Sequence, residues 1–161
     1  MSEMRFDGRV AIVTGAGGRP SLGRSYVHLF AERGAKVVVN DLGVGPDRHG
    51  REPAHAEIVD AGGEAIADTH SVAEEDSAKA VVQTALDAWG KVDILINNAG
   101  VAILAKFDEI SSKDIRNVIN VHLFGNVWMC RAVWNHMRER EYGRIVNITS
   151  GALNGLRYVV I

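Results

Sequence analysis

Short apolar runs rich in β-branched residues alternate along the chain with stretches whose apolar positions recur at helical spacing. The runs are too short for helices but long enough for buried strands, and they cover residues 10–14, 35–40, 64–67, 92–96 and 144–148. Such alternation favours a parallel sheet covered by helices over a helical bundle or a β-sandwich. We therefore predict an α/β fold with a doubly wound parallel sheet of about five strands.

The helical stretches between the first four runs begin and end at recognisable signals. A first helix begins at Leu22 and stops at Gly34. A second covers residues 54–61, and a third has the acidic residues 74–76 in its first turn and ends before Gly90. Each predicted helix therefore connects two successive strands, as a doubly wound sheet requires.

A longer helix is predicted to begin at Ser111 and to reach about Arg140. Between residues 118 and 134 its apolar positions point nearly all round, and a helix of that kind is covered on two sides. One side can face the sheet, whereas the other needs more chain or another subunit. We therefore expect a homo-oligomer, formed through residues 113–140 or through the open edge of the sheet.

Composition narrows the range of partners. The 161 residues include 18 Lys and Arg against 20 Asp and Glu, for a net charge of -2, and no five like charges occur in a row. This balance argues against nucleic acid and anionic membrane as partners. Cys130 is the only cysteine, so an internal disulfide is excluded, and no apolar run is long enough to span a bilayer. We expect a cytoplasmic protein that binds a small-molecule substrate and no metal.

Glycine is over-represented, at 17 of 161 residues, and one cluster of glycines lies between the first predicted strand and helix. A glycine-rich turn in that position lets backbone N–H groups approach a pyrophosphate at the positive end of a helix. Gly15, Ser21, Leu22 and Gly23 are therefore candidate cofactor-binding residues. The alternative is a glycine-rich connection that binds no ligand.

Asp41 lies at the end of the second predicted strand, 26 positions after Gly15. A carboxylate in that position suits hydrogen bonding to an adenosine ribose, and it repels a 2′-phosphate. We therefore predict NAD as the cofactor, with NADP less favoured, although Arg19 in the glycine-rich loop opposes this preference. The alternative is that Asp41 only begins a turn before Leu42 and Gly43.

These residues resemble the short-chain dehydrogenase/reductase family. The resemblance extends from about residue 6 to residue 156 and rests on the loop after Thr14, the turn at residues 40–43, the Asn-Asn-Ala-Gly motif at residues 97–100 and the segment 143–150. It implies a Rossmann-type sheet with strand order 3-2-1-4-5 and a single dinucleotide-binding domain over residues 1–161. It also implies that Asn98, Ala99 and Gly100 lie beside the cofactor.

In that family, catalysis uses an Asn, Ser, Tyr and Lys set, in which Tyr is the general acid or base and Ser polarises the substrate oxygen. The resemblance places Ser150 at the serine and His122 at the asparagine. For His122 the alternative is a packed helix histidine, and for Ser150 it is a strand-end residue that bonds to backbone. Tyr158 does not fit the family pattern, and the family's Tyr and Lys would fall after Ile161.

The resemblance therefore implies hydride transfer between NAD and a hydroxyl or keto substrate. The strings at residues 121–125 and 134–137 are similar to the 3-hydroxyacyl-CoA dehydrogenase branch of the family, which makes a 3-hydroxyacyl thioester one candidate substrate. Without Tyr and Lys, we expect a C-terminally incomplete domain whose 161-residue form is inactive or severely impaired. The alternative is a non-catalytic NAD-binding or oligomerising module.

Two features depart from the family pattern. The glycine-rich loop is two residues longer than usual and has Ser21 where the middle glycine would be. The serine hydroxyl could donate a hydrogen bond to a phosphate, but its Cβ narrows access to the backbone. After the third strand, where the family often has an Asp near the adenine, the chain has Asp68 and His70, and neither is assigned a role.

Overall fold

A computed structural model describes residues 4–43 and 54–150 of the chain. Its strands form one sheet in the order β3-β2-β1-β4-β5, and every neighbouring pair is parallel. This Rossmann-like arrangement confirms the predicted fold class and strand order. The strands are β1 (Val10–Thr14), β2 (Lys36–Asn40), β3 (Glu64–Asp68), β4 (Ile94–Asn97) and β5 (Arg144–Asn147).

The central strands are apolar on both faces because helices cover both sides of a doubly wound sheet. All residues of β1 and β4 are buried, and so are four of the five residues of β2. The edge strand β5 differs, since Ile145 is its only residue that is not exposed, and Val146 is 44% exposed. The described part of the chain thus leaves this edge of the sheet uncovered.

The first two helices of the chain pack on one face of the sheet, and the third and fifth helices pack on the other. The helices are α1 (Leu22–Glu32), α2 (Ala54–Asp60), α3 (Glu75–Trp89), α4 (Ser112–Ile119) and α5 (Gly125–Glu139). Val27 of α1 and Ile58 of α2 belong to one buried cluster, whereas Val81 of α3 and Met129 of α5 belong to a second cluster.

The helix ends follow the predicted signals. The hydroxyl of Ser21 caps α1 by accepting from Arg24 N–H, and the hydroxyl of Ser111 caps α4 by accepting from Asp114 N–H. At the end of α3, Gly90 adopts φ +69° and donates its N–H to a helix carbonyl, a left-handed conformation that glycine accepts without strain.

The long helix predicted from Ser111 to about Arg140 is interrupted. Between α4 and α5, residues Asn120–Phe124 form a π-helical turn. Directly after the turn, Gly125 packs so closely that a Cβ would lie 3.0 Å from Val72 Cγ2. A π turn contains one residue more than an α-helical turn, and this insertion rotates the faces of α4 and α5 relative to each other. Such π turns occur frequently at functional sites.

One side of α5 is buried and the other is apolar and exposed. Met129, Val133 and Met137 lie in the core. The exposed side, together with the end of the π-helical turn, carries several large apolar side chains. We call this surface the α5 face; its residues are Leu123, Phe124, Val127 and Trp134. The sequence predicted that a second side of this helix requires a cover, and association of copies of the chain through this side stays a prediction.

Candidate functional site

The carboxyl ends of β1, β2 and β4 open into a cavity of about 500 Å³. In a parallel α/β sheet, ligands bind at this edge, where the strand order reverses direction. The predicted cofactor residues on its wall are Gly15, Ser21, Leu22, Asp41, Asn98, Ala99 and Gly100. The fold therefore brings together predicted residues that are far apart in the chain.

Gly15 and Gly23 allow close backbone packing at the bottom of this cavity. Gly15 has φ +66°, and a Cβ there would lie 2.7 Å from Ala99 Cα. Gly23 is not among the residues that line the cavity. It lies behind the loop, where a Cβ would be 2.6 Å from both Asn98 Nδ2 and Gly15 O.

Thr14 and Asn98 join the ends of β1 and β4. The Thr14 hydroxyl oxygen accepts the N–H groups of Asn98 and Ala99, both at 3.0 Å. In return, Asn98 Nδ2 donates to the carbonyls of Thr14, at 2.9 Å, and Gly15, at 3.1 Å. The glycine-rich loop is thus fixed to the Asn-Asn-Ala-Gly motif by four hydrogen bonds.

Asn97, the first residue of that motif, faces the next strand. Its Nδ2 donates to Asn147 Oδ1 of β5 at 2.9 Å and lies 3.5 Å from Cys130 Sγ on α5. Burial raises the pKa of the Cys130 thiol, with a smaller opposing effect of the Asn97 hydrogen bond. Asn97 therefore stabilises the contact between β4, β5 and α5 rather than the cavity itself.

Asp41 lies at the mouth of the cavity and contacts the glycine-rich loop. Its Oδ2 accepts the N–H of Gly17 at 2.9 Å. A Cβ on Gly17 would lie 2.8 Å from Asp41 Cγ, so glycine is needed for this contact. The carboxylate is therefore held between the end of β2 and the loop, where the sequence places a ribose-binding group.

The Ser21 hydroxyl is engaged within the loop. It donates to Gly18 O at 3.0 Å while it accepts Arg24 N–H at 3.1 Å. Donation from Ser21 to a phosphate, as considered from the sequence, would require the bond to Gly18 to break. The first turn of α1 still presents its N-terminus to the cavity, an arrangement that favours anions.

Asp68 organises a polar network that the sequence did not assign. Asp68 is 5% exposed, and its carboxylate accepts hydrogen bonds from Asn40 Nδ2, His70 N–H and Thr84 Oγ1. His70 Nδ1 also lies 2.9 Å from Asp68 Oδ2. His70 lines the cavity beside Asp41. The signal in the sequence was the Asp-x-His spacing that begins at the last residue of β3.

His122 and Ser150, the predicted catalytic residues, do not line the cavity. His122 lies in the π-helical turn, and its Nε2 is 2.7 Å from Val101 O and 3.1 Å from Val101 N. In one tautomer Nε2–H donates to this carbonyl, and in the other Nε2 accepts the amide N–H. His122 thus contacts the backbone after Gly100, whereas Ser150 lies exposed just beyond β5. Tyr158 lies outside the described residues.

A second polar cluster, also not predicted, lies on the outer side of the glycine-rich loop. Glu57 of α2 contacts Arg24 and His28 of α1 and Arg19 of the loop. The Arg24 guanidinium beside Glu57 is the main reason why the pKa of this carboxyl lies below its ordinary value. Glu57 lies more than 25 residues from each of these three partners in sequence, so no local pattern pairs it with them.

Within residues 4–43 and 54–150, no three His, Cys, Asp or Glu side chains are grouped as a metal site would need. Among the helices of these same ranges, none has the length and apolarity to cross a bilayer.

Comparison with known proteins identifies a family and several relatives. The family model for short chain dehydrogenase matches residues 9–158. A mouse peroxisomal multifunctional enzyme type 2 is 44% identical over 156 residues, which cover 94% of this chain and 20% of that protein. A peroxisomal hydratase-dehydrogenase-epimerase of Saccharomyces cerevisiae is 42% identical over 154 residues, which cover 92% of this chain and 17% of that protein.

A solved structure is similar as well. The crystal structure of a short chain dehydrogenase from Mycobacterium avium has a TM-score of 0.80 and 42% identity, covering 91% of this chain and 53% of that one. The chain therefore spans about half of the solved structure and a fifth or less of the two peroxisomal relatives.

Proposed function

Because this chain belongs to the short-chain dehydrogenase family, we propose that its cavity binds NAD for hydride transfer to or from a hydroxyl or keto substrate. The observation that carries the proposal is the placement of Asp41 and the glycine-rich loop on the wall of one cavity. The residues fit a dinucleotide: α1 directs its N-terminus at the pyrophosphate position, and Gly15, which lines the cavity, allows the loop to pack directly against Ala99. NAD, when bound, supplies the hydride acceptor.

Asp41 is the basis for choosing NAD over NADP. Its carboxylate is suited to accept hydrogen bonds from the ribose hydroxyls, and its charge opposes a 2′-phosphate. The Gly17 N–H holds one carboxylate oxygen in place, so the charge cannot easily swing away from that position.

For the substrate, we propose a 3-hydroxyacyl thioester. The support is the likeness to the hydratase-dehydrogenase-epimerase of Saccharomyces cerevisiae. A hydratase adds water to a double bond and leaves a hydroxyl group, which is the group that a dehydrogenase oxidises. In this chain, Ser150 would polarise the substrate oxygen, and His122 would position the loop that follows Gly100 through its contact with Val101.

The polypeptide of residues 1–161, taken alone, is proposed to turn over slowly. No tyrosine in it is followed four residues later by lysine. General acid–base catalysis typically contributes about 10²–10⁴-fold to a rate. A non-catalytic NAD-binding or oligomerising module is the second candidate, and the exposed α5 face favours it. A cytoplasmic location remains a proposal that cell fractionation would test.

Titration calorimetry with NAD⁺ and NADP⁺ tests the cofactor proposal. We expect Asp41→Asn to weaken NAD⁺ binding about tenfold, because charge-assisted hydrogen bonds to the ribose are lost, and to narrow the preference over NADP⁺. Asp60→Asn, an exposed carboxylate at the end of α2, is the matched control and should change neither affinity. An unchanged NAD⁺ affinity in Asp41→Asn would contradict the assignment, and no binding of either nucleotide to the wild type would overturn the proposed function.

A further inference from the structure

Arg19 belongs to the glycine-rich loop, but it is not among the residues that line the cavity. Its neighbours Gly18 and Pro20 both line the cavity, whereas the Arg19 guanidinium extends to α2, where Nη2 lies 3.4 Å from Glu57 Oε1. The side chain is 56% exposed, so it has space to adopt other rotamers. A cation of the glycine-rich loop is thus held on the outer side of that loop.

Glu57 itself is firmly anchored. Arg24, which is only 6% exposed, contacts the same carboxylate oxygen that Arg19 approaches, and His28 Nε2 lies 3.1 Å from the other oxygen. Both partners belong to α1, which packs against α2. Because these contacts fix the carboxylate, Arg19 must come to Glu57, and Glu57 cannot follow Arg19 toward the cavity.

A 2′-phosphate on the adenosine ribose would lie near Asp41, whose negative charge opposes it. Proteins that accept this phosphate compensate with a nearby Arg, whose planar guanidinium binds phosphate oxygens in pairs. Arg19 is the cation that the loop offers for that purpose. Its ion pair with Glu57 competes directly with such a contact.

We propose that Glu57 is a cofactor-specificity residue that acts through Arg19. This inference rests on the proposed dinucleotide function. Glu57 holds the Arg19 guanidinium against α2 and so withholds from a 2′-phosphate the charge that would offset Asp41. Asp41 repels the phosphate directly, and Glu57 removes its counter-charge. The preference for NAD therefore depends on two carboxylates, of which one lies outside the cavity.

Calorimetric titration of four variants with NAD⁺ and NADP⁺ at low ionic strength tests this role. Glu57→Gln keeps the shape and an acceptor for Arg24 but removes the charge that attracts Arg19. We expect it to tighten NADP⁺ binding about fivefold, the upper range for one exposed ion pair, and to change NAD⁺ binding less than about twofold. Adding Arg19→Ala to Glu57→Gln should return NADP⁺ affinity to the wild-type value.

Two further variants serve as controls. Glu64→Gln removes a carboxylate that pairs with Lys36 at the amino ends of β2 and β3, away from the cavity. It should leave both affinities unchanged. Arg19→Ala alone should also leave NADP⁺ affinity unchanged, since Arg19 does not serve the phosphate in the wild type. This second variant leaves the contact between Arg24 and Glu57 intact, so it can overturn the inference even if Glu57→Gln folds poorly.

The outcomes separate the inference from the function on which it rests. NAD⁺ binding by the wild type with unaltered NADP⁺ affinity in folded Glu57→Gln would overturn the inference alone. A severalfold loss of NADP⁺ affinity in Arg19→Ala would do the same, because Arg19 would then already contact the phosphate. A wild type that binds neither nucleotide would overturn the proposed function together with this inference.

Discussion

Single residues in the cavity wall each hold two strands or loops in place. Asn98 is the clearest case, because its one amide group donates to the carbonyls of both Thr14 and Gly15. The Thr14 hydroxyl oxygen in turn accepts hydrogen bonds from two backbone N–H groups. Cofactor-facing backbone groups are therefore positioned before any ligand arrives, which lowers the entropic cost of binding.

Gly23→Ala tests how tightly this region is packed. The new methyl group would lie 2.6 Å from Asn98 Nδ2 and Gly15 O, and overpacking of this kind costs about 1–3 kcal/mol. We expect a lower melting temperature by circular dichroism and weaker NAD⁺ binding. Ser25→Ala, at an exposed position on the same helix, is the control and should have little effect. A Gly23→Ala protein that melts like the wild type would show that the loop can relax.

The sequence predicted the residues of this region better than it predicted their contacts. Gly23 was expected beside the cofactor, yet it supports the loop from behind. The pairing of Ser21 with Gly18 was also not foreseen. Spacing along the chain identifies which residues meet at the ends of parallel strands, because the fold fixes that edge. It does not determine hydrogen-bond partners within a loop, since these depend on local backbone geometry.

Among the secondary-structure elements, the π-helical turn between α4 and α5 was the principal feature missed. Apolar spacing predicted one helix, because a single inserted residue hardly disturbs a pattern that spans almost 30 positions. The turn matters because it carries His122 to the Val101 backbone. It also contributes Leu123 and Phe124 to the exposed α5 face, and the Phe124 ring stacks on the Trp128 ring of α5 at 5.8 Å.

The α5 face is proposed as the surface through which copies of this chain associate. Trp134 is 59% exposed and Val127 is 46% exposed, and contiguous apolar surface of this kind often marks an interface. We expect light scattering coupled to size-exclusion chromatography to give an oligomer for the wild type and a smaller species for Trp134→Glu. Asn135→Glu, an exposed neighbour on α5, should leave the mass unchanged. A wild type that is monomeric at all concentrations would refute this interface.

At the scale of the whole molecule, the two halves of the described fold contribute different parts of the site. β1, β2 and their helices supply the glycine-rich loop, Asp41 and Glu57, whereas β4 supplies the Asn-Asn-Ala-Gly motif. The sheet order was predictable because alternating strands and helices permit few arrangements. The cluster around Glu57 was not, because it joins elements that only the folded chain brings together.

The proposed function requires that a dinucleotide binds in the cavity at the carboxyl ends of β1, β2 and β4. Hydrogen–deuterium exchange with and without NAD⁺ tests that location directly. We predict slower exchange at residues 14–23 and 97–101 when NAD⁺ is present. The start of β5, which lies at the amino ends of the strands and thus at the opposite edge from the cavity, should show no change. Slower exchange confined to that opposite edge, or none anywhere in the presence of saturating NAD⁺, would contradict the account.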